Sequence, residues 1–192
     1  MMSLRTHRVW SSLAIPLLIL GAQLATAQGT EDSKAAKNRA NIDSESVAVL
    51  KDFKELKGAS ALYDKAAGYA TFRVTKAGFG ASGAGGGGVA VDKKAGTRTY
   101  MRMGSAGVGL TFGASRYDIV ILFETPERFA AFAKGGWDSS ATAQATAGHS
   151  GAEVSSTFFD GVAYYQIGRK GLMASADVSG TKFWIADELN KK

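Results

Sequence analysis

The 192-residue chain contains no cysteine. This absence excludes disulfide bonds, a thiolate nucleophile, a cysteine-ligated metal ion and the acylated cysteine of a lipoprotein. If such a chain is exported, its hydrophobic core alone must hold the fold together. The length is sufficient for one domain that buries most of its apolar surface.

The sequence is also poor in residues that carry catalysis. It has two histidines, and only His149 lies beyond the N-terminal basic segment. One histidine cannot form a histidine-rich metal site, and no Gly-x-Ser-x-Gly motif marks a serine nucleophile. The aspartates are scattered at predicted turns and strand ends. We therefore predict that the protein is not an enzyme and has no cofactor, no metal and no catalytic residue.

No apolar run reaches the 18 or so residues of a transmembrane helix. The longest run, residues 10–20, follows two arginines and a histidine, and Ala25-Thr26-Ala27 comes after it. This order is typical of a secretory signal peptide. The alternative is an N-terminal anchor, for which the run is short.

These observations predict three segments. Residues 1–27 form a cleaved signal peptide, 28–42 a flexible lead-in or frayed helix, and 43–192 a single domain. The predicted location is periplasmic or secreted.

The pattern after residue 42 predicts an α+β domain. Val47, Leu50, Phe53 and Leu56 recur at intervals of three, which indicates a helix capped at residue 43 or 44 and ended by Gly58. A second helix is expected at about 60–67. We predict one further helix at 125–136, inserted in the sheet, with Thr125 as cap, Phe129 and Phe132 buried, and Gly135 at its end.

Alternation of small or apolar residues with polar ones predicts strands at 104–113, 139–147 and 171–180. Residues 118–123 are apolar on both faces and indicate a central strand. Turn residues at 93–97 and 168–171 predict hairpins. The expected architecture is therefore N-terminal helices on a strongly curved, Gly/Ala-rich antiparallel sheet, or on a barrel.

Residues 76–92, KAGFGASGAGGGGVAVD, contain seven glycines. Gly78 to Gly83 match the dinucleotide pattern G-x-G-x-x-G, but that chemistry needs a helix N-terminus directly afterwards. Here a strand pattern follows, and no Gly-Lys-Ser/Thr occurs. We predict that nucleotides do not bind and that the glycines permit bends and close backbone approach.

Basic residues concentrate at two places, the end of the first helix and the first hairpin. They are Lys51, Lys54 and Lys57, and Lys93, Lys94, Arg98 and Arg102. A charge run on a helix is most often a solvated face. Nucleic acid is not an expected partner. The export signal would separate the protein from the nucleic acids of the cell, and the aromatic residues do not interleave with the cations.

An ordered series of motifs resembles the SYLF lipid-binding domain family. The series comprises Lys65-Ala66-Ala67-Gly68, Lys76-Ala77-Gly78-Phe79, Gly85 to Gly88, Gly109 with Gly113, and Asp118 with Val120. Later matches are 129–136, Tyr165, Lys170-Gly171-Leu172, Gly180 and Asn190. The resemblance extends from about Ser44 to Asn190.

The resemblance implies binding to phospholipid through an amphipathic N-terminal helix and basic residues. The seven basic residues above are accordingly the candidate lipid-binding residues, and anionic phospholipid head groups or a membrane surface are the expected partner. The alternative is a periplasmic envelope protein that binds a protein partner through its Gly- and Ala-lined sheet.

Overall fold

The computed structural model describes residues 19–147, 157–168, 171–173 and 180–191. In chain order the elements are α1 Ile19–Lys54, α2 Ala59–Lys65, β1 Gly68–Asp92, β2 Arg98–Phe123, α3 Pro126–Gly135, α4 Ser139–Ala147, β3 Val162–Gly168, β4 Gly171–Met173, β5 Lys182–Ile185 and α5 Asp187–Asn190. The fold is therefore α+β, as predicted.

Helix α1 is longer than its sequence pattern indicates, because it begins at Ile19 and so also includes residues 19–42. It ends at Lys54, and Gly58 starts α2 in a left-handed conformation with φ 87°. The packed face holds Val49, Leu50 and Phe53.

Val47, which begins the apolar series of the sequence pattern, is 69% exposed. A helix turns by about 100° per residue, so steps of three drift around the axis, and Val47 lies about 160° from Val49. Ser46 occupies the buried face in its place, and Thr71 on β1 donates a 2.7 Å hydrogen bond to its hydroxyl oxygen.

Strands β1 and β2 form one long antiparallel hairpin. Gly68 pairs with Phe123 at the open end and Val91 pairs with Arg98 beside the turn. The turn at 93–97 is confirmed: the carboxylate of Asp92 accepts the backbone N–H groups of Lys94 and Ala95, both at 2.8 Å. Gly96 completes it with φ 68°.

The two halves of β1 lie against each other. A Cβ built on Gly86 would be 2.2 Å from the Arg73 carbonyl oxygen, and one on Gly88 would be 2.2 Å from that of Thr71. In a straight strand, residues 73 and 86 would be about 40 Å apart. The hairpin must therefore be strongly bent, and the predicted role of the glycines in close backbone approach is confirmed at these two positions.

The described strands form a five-stranded sheet with the order β1-β2-β3-β4, and β5 also pairs with β2. Strand β2 is central: residues 118–123 pair with β3, and residues 101–104 pair with β5. No pairing among the described strands closes this order. The sheet is open, and the barrel alternative is not supported.

Helix α3 agrees closely with the prediction. The Thr125 side chain accepts the Arg128 backbone N–H, Pro126 occupies the first turn, and Phe129 and Phe132 are buried. The helix ends at Gly135, and Gly136 caps it with φ 65°.

The predicted strand at 139–147 is wrong, because these residues form helix α4. The Asp138 carboxylate accepts the Ala141 backbone N–H at 2.9 Å, which is a helix N-cap contact. Two helices, α3 and α4, therefore follow β2 before β3, and the prediction of a single inserted helix is also wrong.

The predicted hairpin at 168–171 is confirmed by the pairing of Gly168 with Gly171. Of the predicted strand 171–180, the structure describes β4 at its start, while residues 174–179 lie outside the described residues. His149 also lies outside them.

The core consists of two clusters. In one, α1 and α2 pack on Val120, Leu122 and Tyr165 of the sheet. In the other, α3 packs on the residues of β2 that alternate with these, Ile119, Ile121 and Phe123. The side chains of β2 thus serve both clusters, which explains its apolar character on both faces.

Among the helices that the structure describes, none combines the length and the apolar character required to cross a membrane.

Candidate lipid-binding surface

Two of the predicted lysines meet at one aromatic ring. Lys54 comes from the end of α1 and Lys93 from the β1–β2 turn, and their Nζ atoms lie 3.6 Å and 4.3 Å from the centre of the Tyr63 ring. Lys93 Nζ also donates hydrogen bonds to the backbone oxygens of Tyr63 at 2.7 Å and Asp64 at 3.2 Å. Tyr63 therefore fixes two cations from distant parts of the chain at one place.

Burial lowers the pKa of Lys93 from its ordinary value, and the nearby charge of Lys54 lowers it further, while Asp64 acts in the opposite direction. The protonated form is thus less favourable here than in water. An anion placed against this pair would offset the repulsion between the two ammonium groups.

A shallow groove of about 460 Å³ lies next to these lysines on the outer face of α1. It is lined by Val47, Leu50, Lys51, Lys54 and Glu55. Val47, Lys51 and Lys54 recur at intervals of four and three, so they share one side of the helix. This side is exposed, and it combines one apolar side chain with two cations.

Lys57 and Lys94 are exposed in the turns that follow α1 and β1. Lys57 thus lies beyond the helix on which the sequence pattern placed it. We refer to Lys51, Lys54, Lys57, Lys93 and Lys94, with Val47, as the lysine surface.

The two candidate arginines are held by carboxylates. Arg98 Nη1 lies 2.8 Å from Oδ2 of Asp43, which also accepts the Tyr100 hydroxyl at 3.0 Å. Arg102 is paired with Glu188. These ion pairs connect β2 to α1 and α5. Both arginines are therefore paired with carboxylates that hold the fold together.

Sequence reasoning missed Tyr63. It lies nine residues after Lys54 and 30 residues before Lys93, and no spacing rule connects these positions. Only the packing of α2 beside the β1–β2 turn brings them together.

Metal ligands do not converge in the described parts of the chain. Across residues 19–147, 157–168, 171–173 and 180–191, no three side chains of His, Asp or Glu are grouped to hold one ion.

Comparison with known proteins agrees with the motif series. Residues 104–192 match the model of the Ysc84 family, described as "Las17-binding protein actin regulator". The chain carries a SYLF domain of the Ysc84 family.

A curated relative belongs to the same family. "Beta cell expansion factor A" of Aeromonas veronii is 41% identical over 144 residues, which cover 75% of this chain and 55% of the relative. The chain thus spans about half the length of that protein.

The SYLF motifs occupy defined places in the fold. Lys65 to Gly68 form the junction between α2 and β1, where a Cβ on Gly68 would lie 2.4 Å from the Phe129 ring. Asp118 and Val120 lie in the central part of the sheet, and Asn190 ends α5. The glycine positions of the motif series at 86 and 88 are those at which β1 contacts itself.

Proposed function

We propose that this SYLF domain is an exported, non-enzymatic module that binds anionic phospholipid at a membrane surface through the lysine surface. The observation that carries the proposal is the convergence of Lys54 and Lys93 on Tyr63, beside the exposed groove of α1. The family resemblance to lipid-binding domains supports it.

Electrostatics provides the main attraction. A lysine near an anionic membrane surface contributes about 1 kcal/mol, so three lysines give about 3 kcal/mol, or on the order of a hundredfold in affinity. Because Lys51, Lys54 and Lys57 are exposed, salt should screen the attraction. The side chains of Val49, Leu50 and Phe53 are already packed in the core, whereas the large apolar side chain of Val47 is exposed on the same part of α1 and available to the membrane. Binding is therefore mostly electrostatic.

Flotation with vesicles tests this function. The protein should float with phosphatidylglycerol vesicles at low salt, float weakly at high salt, and stay unbound with neutral phosphatidylcholine vesicles. Equal recovery with both lipids, or with neither, would contradict the proposal.

Export is part of the same proposal and has its own test. Protein produced in a secreting host should have the intact mass of a chain whose first residue is Gln28. Recovery of a chain that still carries residues 1–27 would contradict cleavage at Ala27.

A protein partner is the second candidate, in the form of an envelope interaction protein. Two observations favour it. The family description names binding to a protein, and Trp184 on β5 and Phe159 before β3 are 45% and 51% exposed. Two results together would support this alternative. The protein would bind no vesicle, and the Trp184→Ala variant would capture an envelope protein more weakly than the parent does.

A further inference from the structure

A second depression in the fold has a different chemistry. It is a cleft of about 470 Å³ between the end of α1 and strands β1, β2 and β3. Its charged lining residues are Asp52, Glu55, Arg73, Arg116 and Asp118. The volume falls in the range of small-molecule sites, about 300–1,000 Å³.

Two of these charges neutralise each other. Arg73 and Asp118 face each other across the β1–β2 ladder. Arg73 Nε donates to Asp118 Oδ1 at 3.0 Å and Nη2 donates to Oδ2 at 3.4 Å, while Nη1 lies 3.8 Å from Glu45. A bidentate pair of this kind fixes both side chains and leaves little free charge at this position.

The remaining charged residues lie without such partners. Asp52 and Glu55 are exposed at the α1 side of the cleft, and Arg116 is exposed on β2. Within the part of the chain that the structure describes, the side chains of these three residues make no hydrogen bond or ion pair. Leu56 and Ile167 add apolar wall to the same cleft.

We propose that this cleft binds a zwitterionic group with a primary ammonium and a phosphate, of the phosphoethanolamine type. The ammonium would face Asp52 and Glu55, and the phosphate would face Arg116. An anion alone would meet two carboxylates for one available guanidinium, and a cation alone would leave Arg116 without a partner.

The proposal goes beyond the lysine surface and does not depend on it. The lysines would attract any anionic membrane, whereas the cleft would select a head group. The same group occurs in phosphatidylethanolamine and as a free metabolite, and both sources offer the cleft the same atoms.

Titration of the full chain with free phosphoethanolamine, followed by NMR or calorimetry, tests the site. We expect saturable binding, at least tenfold tighter than that of inorganic phosphate or of ethanolamine. Arg116→Gln, and separately the double change Asp52→Asn with Glu55→Gln, should each weaken it at least tenfold.

Control variants remove a single charge of the same sign elsewhere. Lys134→Gln lies on α3, which packs on the opposite face of the sheet, and Glu124→Gln lies beyond the far end of β2. Both should leave the affinity unchanged. If phosphate alone binds as tightly as phosphoethanolamine, or if the cleft variants bind like the controls, the proposal is wrong.

Vesicles then identify the source. A lipid ligand predicts that phosphatidylethanolamine in a phosphatidylcholine background recruits the protein and that Arg116→Gln reduces this recruitment. A free ligand predicts binding in solution without recruitment. Absence of both would overturn the proposal. Neutralising Lys93 and Lys94, which do not line the cleft, should weaken flotation on phosphatidylglycerol and leave phosphoethanolamine binding intact, so the two proposals fail independently.

Discussion

Gly86 packs directly against the backbone of Arg73, since a Cβ at position 86 would lie 2.2 Å from the Arg73 carbonyl oxygen. The backbones can come this close only because position 86 has no side chain. The bend brings residues of both halves of the hairpin, Phe72 and Met103 among them, into one core cluster.

Any side chain at position 86 should therefore destabilise the fold. Gly86→Ala is expected to cost at least about 1–3 kcal/mol, because the neighbour is backbone and cannot rotate away, and Gly86→Val should cost more. Gly83→Ala is the matched control, as its nearest atom would lie at 3.9 Å. Urea unfolding of the variants measures the difference. Equal stability of the two alanine variants would refute this account of the bend.

Charge reversal of the lysine surface tests the proposed function. The triple variant Lys51→Glu, Lys54→Glu, Lys57→Glu should lose flotation on phosphatidylglycerol vesicles, because three attractive charges become repulsive. Its melting curve should stay close to that of the parent, since all three side chains are exposed.

The control for that variant carries the same change in net charge on exposed lysines elsewhere, Lys134→Glu, Lys182→Glu and Lys191→Glu. It should float more than the lysine-surface variant. If the triple variant still floats like the parent, the membrane contact lies at the Lys93–Lys94 part of the lysine surface, with Arg98 and Arg102 as further candidates.

Titration of Lys93 should report on its surroundings. Its pKa is lowered first by burial and then by Lys54, so Lys54→Gln should raise it and Asp64→Asn should lower it. NMR of the lysine side chain follows both shifts. No response to either change would mean that the two ammonium groups do not sense each other.

The same shift predicts the direction of the pH dependence of stability. The folded protein holds the Lys93 proton less tightly than the unfolded chain, whose ordinary lysine pKa is 10.5. The contribution of Lys93 to stability should therefore rise with pH between its lowered pKa and 10.5. Tyrosines titrate in the same pH range, so the contribution of Lys93 is measured as the difference in unfolding free energy between the parent and Lys93→Gln. A decrease of this difference with rising pH would contradict the prediction.

Asn190 connects the end of the chain to the sheet. Its Oδ1 accepts the Tyr100 backbone N–H at 3.0 Å, and its Nδ2 donates to the carbonyl oxygens of Tyr100 and Ala186, both at 2.8 Å. Asn190→Ala should cost about 1–3 kcal/mol, because it leaves the backbone N–H of Tyr100 without its acceptor. The carbonyl oxygens of Tyr100 and Ala186 keep the N–H groups of Ala186 and Leu189 as donors. The exposed neighbour change Lys191→Ala should stay within about 0.5 kcal/mol. Chemical unfolding of both variants decides whether Asn190 has this role.

The Arg102–Glu188 pair should add an acid dependence to the same region. The hydrogen bond from Arg102 holds the pKa of Glu188 below its ordinary value of 4.5. The stabilisation is present above 4.5 and is lost as pH falls through the lowered pKa. Glu188→Gln should flatten this part of the stability profile, and an unchanged profile would show that the pair contributes nothing.

Where local signals were strong, the sequence predicted the structure well. Helix α3 has a capping threonine, a proline in its first turn and two phenylalanines three residues apart, and each acts as expected. The turn at 93–97 and the central strand 118–123 were also predicted correctly, because turn chemistry and continuous apolar character are local properties. The motif series identified the family.

For the small residues of 139–147 the sequence-based prediction failed, since a strand was predicted and a helix is observed. Alternation between Ala and Ser or Thr separates the two faces only weakly in polarity, whereas alanine favours helix and Asp138 supplies the cap. In α1, steps of three residues drift around the helix axis, so Val49 and not Val47 lies on the packed face.

By itself, the sequence determined the α+β class, the family and the strand nature of the glycine-rich segment, because these depend on periodicity, turn chemistry and motif order along the chain. Tertiary structure alone decided which charges are available. Lys54 and Lys93 share Tyr63, Arg98 and Arg102 are held by Asp43 and Glu188, and Arg116 lines one cleft together with Asp52 and Glu55. The physical reason is that these partners are separated by tens of residues along the chain, and they meet only because the bent hairpin and the helices packed on it bring them together.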